Sequence, residues 1–235
     1  MEQLQTIFNK AIKTMLYLPQ GTPTTILLAE TGFTPIKYII YKKRTMQAHR
    51  IESKKDTSLI KRITRGENSI WRSTTIRIMD ELEINKAYLT ASKNIIRKNT
   101  DVAIKQARKR ELLEEVQHKS KVKHWYEMRG EAMPENRPQY MNKLTRKQCN
   151  AIIKTRARML PTKTNQRSDS QDTTCRICGN QEETQVHVLK ECEARQTRLS
   201  TDNQYEDIFK DSDIEKLRKI ANDIIDIMKT LEEEN

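Results

Sequence analysis

The sequence predicts an all-α protein built of helical bundle segments, and three observations carry that prediction. Gly, Pro and aromatic residues are scarce, while Lys, Arg, Glu, Ile and Leu are abundant, a composition that suits helices. Apolar residues recur at alternating spacings of three and four along most of the chain. Hydrophobic residues make up only 35% of 235, too few for a sandwich or barrel and enough for thin layers of packed helices.

The first helix is marked by Leu4, Ile7, Phe8, Ala11, Ile12, Met15 and Leu16 on one expected buried face, and Pro19 and Gly21 stop it. Thr22-Pro23 and Thr34-Pro35 repeat one start signal, a capping hydroxyl followed by proline at the first helical position. The helix after the first signal holds Ile26 to Ala29 and ends by Gly32. The next runs from Pro35 through Ile36, Ile39, Ile40, Met46 and His49. From Ser53 to Gly66 the chain is charged, a flexible connection or short helix. Beyond Trp71, apolar positions from Ile76 to Val116 support long helices broken near Asn99 and Thr100. Their exposed faces carry Arg97, Lys98, Lys105, Arg108, Lys109 and Arg110 with Glu111, Glu114 and Glu115 interleaved for i,i+4 pairs, as on a solvated face. In KSKVKHWYEMR the rings of Trp125 and Tyr126 are expected in the core.

The stretch from Arg137 to Ser168 contains no Asp or Glu, whereas Lys and Arg recur throughout it. With a net charge of +12, this favours a polyanionic partner, RNA or DNA before an anionic membrane surface, because the basic helices lack bulky aromatics on their apolar faces. The candidate nucleic-acid contacts are Lys143, Arg146, Lys147, Lys154, Arg156, Arg158, Lys163 and Arg167. A helix over Thr145–Leu160 aligns Lys147, Lys154 and Arg158 opposite Cys149, Ile152 and Ile153. Arg156 falls on the apolar face. It either curls to the surface or enters a cleft as a phosphate clamp. Cys149 reads as core.

Next comes TTCRICGNQEETQVHVLKEC, in which Cys175, Cys178, His187 and Cys192 follow the spacing C-x2-C-x8-H-x4-C. Three thiolates and an imidazole form a tetrahedral donor set for one structural Zn²⁺; four protein ligands leave no open position for catalysis. Gly179 follows the second cysteine, where the turn calls for positive φ. Thr184 is placed to cap a short helix carrying His187, with Val186 and Leu189 beneath. Cys192 lies about 140° further round an ideal helix than His187, so the helix has to end or distort there. The last helix carries Ile214, Leu217, Ala221, Ile224, Met228 and Leu231 on one face, expected to dock on the protein's own helices. The aspartates before it suit its positive end.

These motifs resemble the C-terminal region, beyond the palm and thumb, of non-LTR retrotransposon reverse-transcriptase polyproteins. The cysteine–histidine spacing resembles that family's knuckle and differs from the retroviral one, which has four residues before its histidine. KQCNAIIKTRARMLPTK resembles the family's basic helix upstream of the knuckle. LPQGTPTTILLAETGFTPIKYIIYKKRTMQAHRI resembles its helical region after the thumb. The resemblance covers both ends of the chain, and the middle matches only in character. It implies that the basic helix and knuckle bind element RNA or target DNA in support of the polymerase portion of the same polyprotein.

It carries over no catalytic residue. The chain has no Asp-Asp pair to hold two Mg²⁺ ions and no proline after Pro161 for a Pro-Asp nuclease motif. The expectation is therefore a nucleic-acid-binding accessory region rather than an enzyme, with a zinc-stabilised adaptor as the alternative. The N-terminus is too polar for a signal peptide, and cysteines reserved for a metal suit a reducing compartment, nucleus or cytoplasm. The expected divisions are 1–52 as an N-terminal helical unit, 53–136 as a charged long-helix region, 137–170 as basic helix and linker, 171–195 as the knuckle and 196–235 as the C-terminal helix.

Overall fold

The computed structural model describes residues 2–66, 69–130, 137–166, 172–194, 204–211 and 213–233. Eleven α-helices are present among them: α1 Glu2–Met15, α2 Thr24–Thr31, α3 Ile36–Glu52, α4 Leu59–Arg65, α5 Ile70–Glu81, α6 Lys93–His118, α7 Ser120–Arg129, α8 Tyr140–Lys143, α9 Arg146–Arg156, α10 Gln204–Asp207 and α11 Ile214–Glu233. No strand occurs in the described residues, and the all-α expectation holds; an isolated antiparallel bridge joins Thr174 and Glu182. No helix there is long and apolar enough to cross a membrane.

The chain forms two compact units whose limits differ from the expected divisions. One comprises Met1–Gln5 with Thr34–Glu114, the other Thr6–Phe33 with Glu115–Asn235. The first 52 residues thus contribute to both. Periodicity shows which face of a helix is apolar but not which later segment covers it.

In the first unit α3 is the organising helix. Its inward face is Tyr38, Tyr41, Thr45, Ala48 and Ile51. Tyr38 and Tyr41 pack with Ile78 and Met79 of α5, Leu82 and Ile84 just after it, and Ile96, Ala103, Ile104 and Ala107 of α6. Ile39 is left exposed. The charged segment after α3 does form a helix, α4, and Lys61 Nζ on it donates to the carbonyls of Glu52 and Lys54 at 2.8 Å each, satisfying the end of α3. The expected break at Asn99–Thr100 is absent. Both side chains turn back onto α6 itself, Asn99 Nδ2 to Ile95 O and Thr100 Oγ1 to Ile96 O, so they bond the helix instead of competing with it.

In the second unit α2 is buried all round, from Ile26 to Thr31. The start signals work differently from expectation. Pro23 and Pro35 occupy the capping position themselves, in extended backbone, and neither helix has a side-chain cap. Thr22 Oγ1 instead donates to Pro19 O. Gly32 ends α2 at φ +70°, and a Cβ there would lie 2.4 Å from Arg137 Cα. The apolar face of α1 is only partly covered. Ile12 is buried with Leu18, Leu27, Leu28 and Ile153, while Ile7 and Met15 stay exposed. α9 starts with a full capping box, Thr145 with Gln148, and buries Cys149, Ala151, Ile152 and Ile153. α11 docks on α9, as expected of its apolar face, through Leu217, Ile220, Ala221, Ile224, Ile227, Met228 and Leu231. Asp213 Oδ1 accepts from Lys216 N at its start.

A buried ion network joins these helices. Glu30 of α2 is fully buried and accepts from Trp125 Nε1 at 2.7 Å, Tyr140 OH at 2.8 Å and Arg156 Nη1 at 2.6 Å, with Arg129 Nε 3.6 Å away. Arg156 also donates to Ile208 O at 2.6 Å and to Asp211 at 2.9 Å, which Arg129 reaches at 2.8 Å. Burial pushes the Glu30 pKa up, but Arg156, Arg129 and the two ring donors outweigh it and hold the group below the usual carboxylate range. Trp125 is therefore core, as expected, because its N–H has a buried carboxylate to meet.

Candidate metal centre

The segment from Thr173 to Glu183 folds as a tight hairpin. Glu183 N donates to Thr173 O at 2.7 Å, Cys175 N to Gln181 O at 2.6 Å and Gly179 N to Cys175 O at 2.8 Å. Gly179 sits at φ +69°, the conformation expected after the second cysteine. The hairpin presents Cys175 and Cys178 on one turn. Thr184 Oγ1 then accepts from His187 N at 3.1 Å, capping the helix that carries the imidazole. Val188 and Leu189 are its buried apolar residues, while Val186 is only half-buried.

Distortion of this helix is what brings in the fourth donor. Residues His187–Glu191 are wound as a π-helical turn, and Cys192 N donates to His187 O at 2.8 Å. The i→i+5 bond widens the turn, so Cys192 comes back over His187 instead of pointing away from it. The result is that the four donor atoms all lie within 4.8 Å of one another.

This cluster fits a metal ion. With metal–sulfur and metal–nitrogen bonds of about 2.3 and 2.0 Å, a tetrahedral S–N edge measures about 3.5 Å; Cys178 Sγ lies 3.4 Å from His187 Nε2. That places Nε2 toward the thiolates. The other ring nitrogen, Nδ1, is buried without a hydrogen-bond partner and lies 4.0 Å from Glu191, the sort of carboxylate that orients a ligating imidazole. Electrostatics divide the thiols. The backbone N–H of Asn180, and then that of Gln181, overcome burial and draw Cys178 down to about 6, whereas burial pushes Cys175 up to about 11. Cys149, as expected, is no ligand; its Sγ lies 3.8 Å from the carbonyls of Tyr140 and Leu144 in the core.

Sequence reasoning missed how the centre is anchored. Glu183 is fully buried and accepts from Arg176 N at 2.8 Å, Arg176 Nη2 at 2.6 Å and Lys163 N at 2.7 Å. Arg176 reaches on to Pro161 O and Leu231 O, each at 2.7 Å. Gln185 Nε2 donates to Thr155 O at the end of α9. The metal hairpin is thereby tied to both α9 and α11. An Arg inside the C-x2-C turn and a Glu eight residues after the first cysteine were the available signal.

The eight basic candidates divide. Lys143, Arg146 and Lys147 are exposed around the start of α9, and the Arg146 guanidinium stacks 4.0 Å over the Tyr17 ring. Lys154 is half-buried, which lowers its pKa. Arg158 is not on the expected face, because α9 stops at Arg156 and Arg158 has φ +52°. Lys163 pairs with Asp172 at 2.8 Å. Arg156 has to be withdrawn: both expectations for it, surface or cleft, are overturned by its complete burial in the Glu30–Asp211 network. Arg167 lies outside the described residues. Asp211, expected to serve the helix end, belongs to the same network.

Comparison of the chain with protein-family models, curated proteins and solved structures yielded no match.

Proposed function

We propose that this chain is a nucleic-acid-binding accessory region of the retroelement reverse-transcriptase type, organised by one structural Zn²⁺ on Cys175, Cys178, His187 and Cys192. Three sulfurs and one imidazole nitrogen in a closed set suit zinc, which has no redox role and tolerates tetrahedral S/N coordination. The ion stabilises the hairpin and does no chemistry.

The observation that carries the binding assignment is the exposed platform at the start of α9. Tyr17 is 65% exposed and held at φ +51°, a strained conformation for a bulky residue. Asn150 Nδ2 maintains it by donating to Leu16 O at 2.6 Å and Tyr17 O at 2.9 Å. The ring stacks with Arg146, and Lys143 and Lys147 flank that arginine in sequence. An aromatic face, a planar cation and two lysines are the groups that stack bases and neutralise phosphates.

The test is binding of single-stranded RNA, duplex DNA and heteroduplex by the full chain across a salt series. Replacing Lys143, Arg146 and Lys147 by Gln lowers affinity for all sequences and flattens the log–log salt slope by up to about 0.7–0.9 per lost contact. Tyr17→Ala weakens single strands selectively. Affinity and slope unchanged in both variants overturn the assignment. A second reading, a zinc-stabilised adaptor, is favoured by the exposed Ile7 and Met15 on α1. It expects protein capture insensitive to salt and no nucleic-acid affinity.

A further inference from the structure

The first unit contains a groove whose α6 wall is part of the face that the sequence predicts to be solvated. It lies along α3 and α6 and encloses about 980 Å³. Its walls carry Lys42 and Lys43, Arg50, Lys93 and Arg97, and its one carboxylate is Asp101. That carboxylate is already taken by Lys42 at 2.5 Å. Lys43, Arg50, Lys93 and Arg97 are all exposed and have no ion-pair partner among the described residues. A second recess, of about 420 Å³, shares Arg97 and Asp101 with the groove and adds Lys98.

Four unpaired cations around one concavity repel each other, a cost that a bound polyanion relieves. The floor is apolar, formed by buried Tyr38 and Ile104 with the half-buried Met46 and the exposed Ile39. This floor exists because α3 turns its tyrosines inward and leaves Ile39 and Met46 at the groove. We propose that the α3–α6 groove binds a single strand of nucleic acid, with phosphates on Lys43, Arg50, Lys93 and Arg97 and base faces against Ile39 and Met46. The volume stands at the upper end of small-ligand sites, enough for a few nucleotides of one strand. A duplex is convex and meets only the rim. An acidic amphipathic helix needs an apolar stripe to lie on, and Ile39 is the one large exposed hydrophobic residue the groove offers. A lipid surface is flat and likewise meets only the rim.

The proposal does not depend on the Tyr17–Arg146 platform, and variants separate the two. The probe is a fluorescent oligouridine of about ten nucleotides, titrated into the full chain at several salt concentrations. The variant replaces Lys43, Arg50, Lys93 and Arg97 together by Gln; all four are exposed and unpaired, so helical content and unfolding remain those of the wild type. Expected is at least a tenfold loss of affinity at low salt and a salt slope reduced by up to about 3 units, about 0.7 per cation lost. The same loss has to appear when the groove variant is made in the Lys143/Arg146/Lys147→Gln background. The pair Arg50→Lys with Arg97→Lys, which keeps the charge, retains the slope. Unchanged affinity and slope in the groove variant overturn the proposal while leaving the platform untouched. So does a groove variant that loses only an acidic peptide or anionic vesicles and still binds the oligonucleotide. A wild-type chain that binds no oligonucleotide overturns both sites.

Discussion

Removing the Arg156 guanidinium is the sharpest test of how the second unit is held together. Arg156→Met keeps much of the volume and removes hydrogen bonds of 2.6 Å to Glu30, 2.6 Å to Ile208 O and 2.9 Å to Asp211. Glu30 is then left fully buried with Arg129 at 3.6 Å as its remaining cation. Stripping one partner from a buried ion pair costs about 3–5 kcal/mol, because the surviving charge loses its closest cation and regains no water. For a protein of this size that lowers the midpoint of thermal unfolding by on the order of 10 °C. Trp125 donates to Glu30, so its fluorescence in a Trp71→Phe background reports this unit alone. pH supplies a second readout. In the wild type the Glu30 pKa is depressed, so its contribution is full above the ordinary carboxylate range and is lost as pH falls through the folded value. Without Arg156, burial dominates and the folded pKa rises above the unfolded one. The variant's deficit should therefore shrink toward acid pH, where a neutral Glu30 is tolerated. A deficit below about 1 kcal/mol, or one that grows in acid, would refute the reasoning.

Native protein should contain one equivalent of zinc; Cys178→Ser should reduce it, and chelation should unfold 172–194 while the helical signal of α6 persists, as hydrogen exchange can resolve. Absence of stoichiometric metal would remove the centre. Glu191→Gln should keep the fold and weaken zinc retention about 10-fold or more in competition with a chelator, if the carboxylate orients His187. Gly32→Ala and Gly179→Ala share a positive φ but should differ in cost. The first meets the Arg137 backbone at 2.4 Å, whereas the second has nothing within 4 Å, so Gly179→Ala should lose only about 1–2 kcal/mol and Gly32→Ala clearly more by denaturant unfolding.

The sequence by itself determined what depends on local spacing. Helix identity, the positive φ of Gly179, the Thr184 cap, the clustering of Cys175, Cys178, His187 and Cys192, and the inward face of α11 all arise within a few turns of chain. The distortion between His187 and Cys192 was legible for the same reason, since five residues do not close on a regular helix. Only the tertiary structure decided matters that depend on which distant segment covers a surface. Arg156 looked like a phosphate ligand because its carboxylates, Glu30 and Asp211, lie 126 and 55 residues away. Glu30 gave no sign within α2 that four donors from three later segments would surround it. The inward face of α3 likewise includes Tyr38 and Tyr41, while Ile39 stays exposed. Long-range burial is set by the partner's shape, and a buried charge is stable only where distant partners neutralise it.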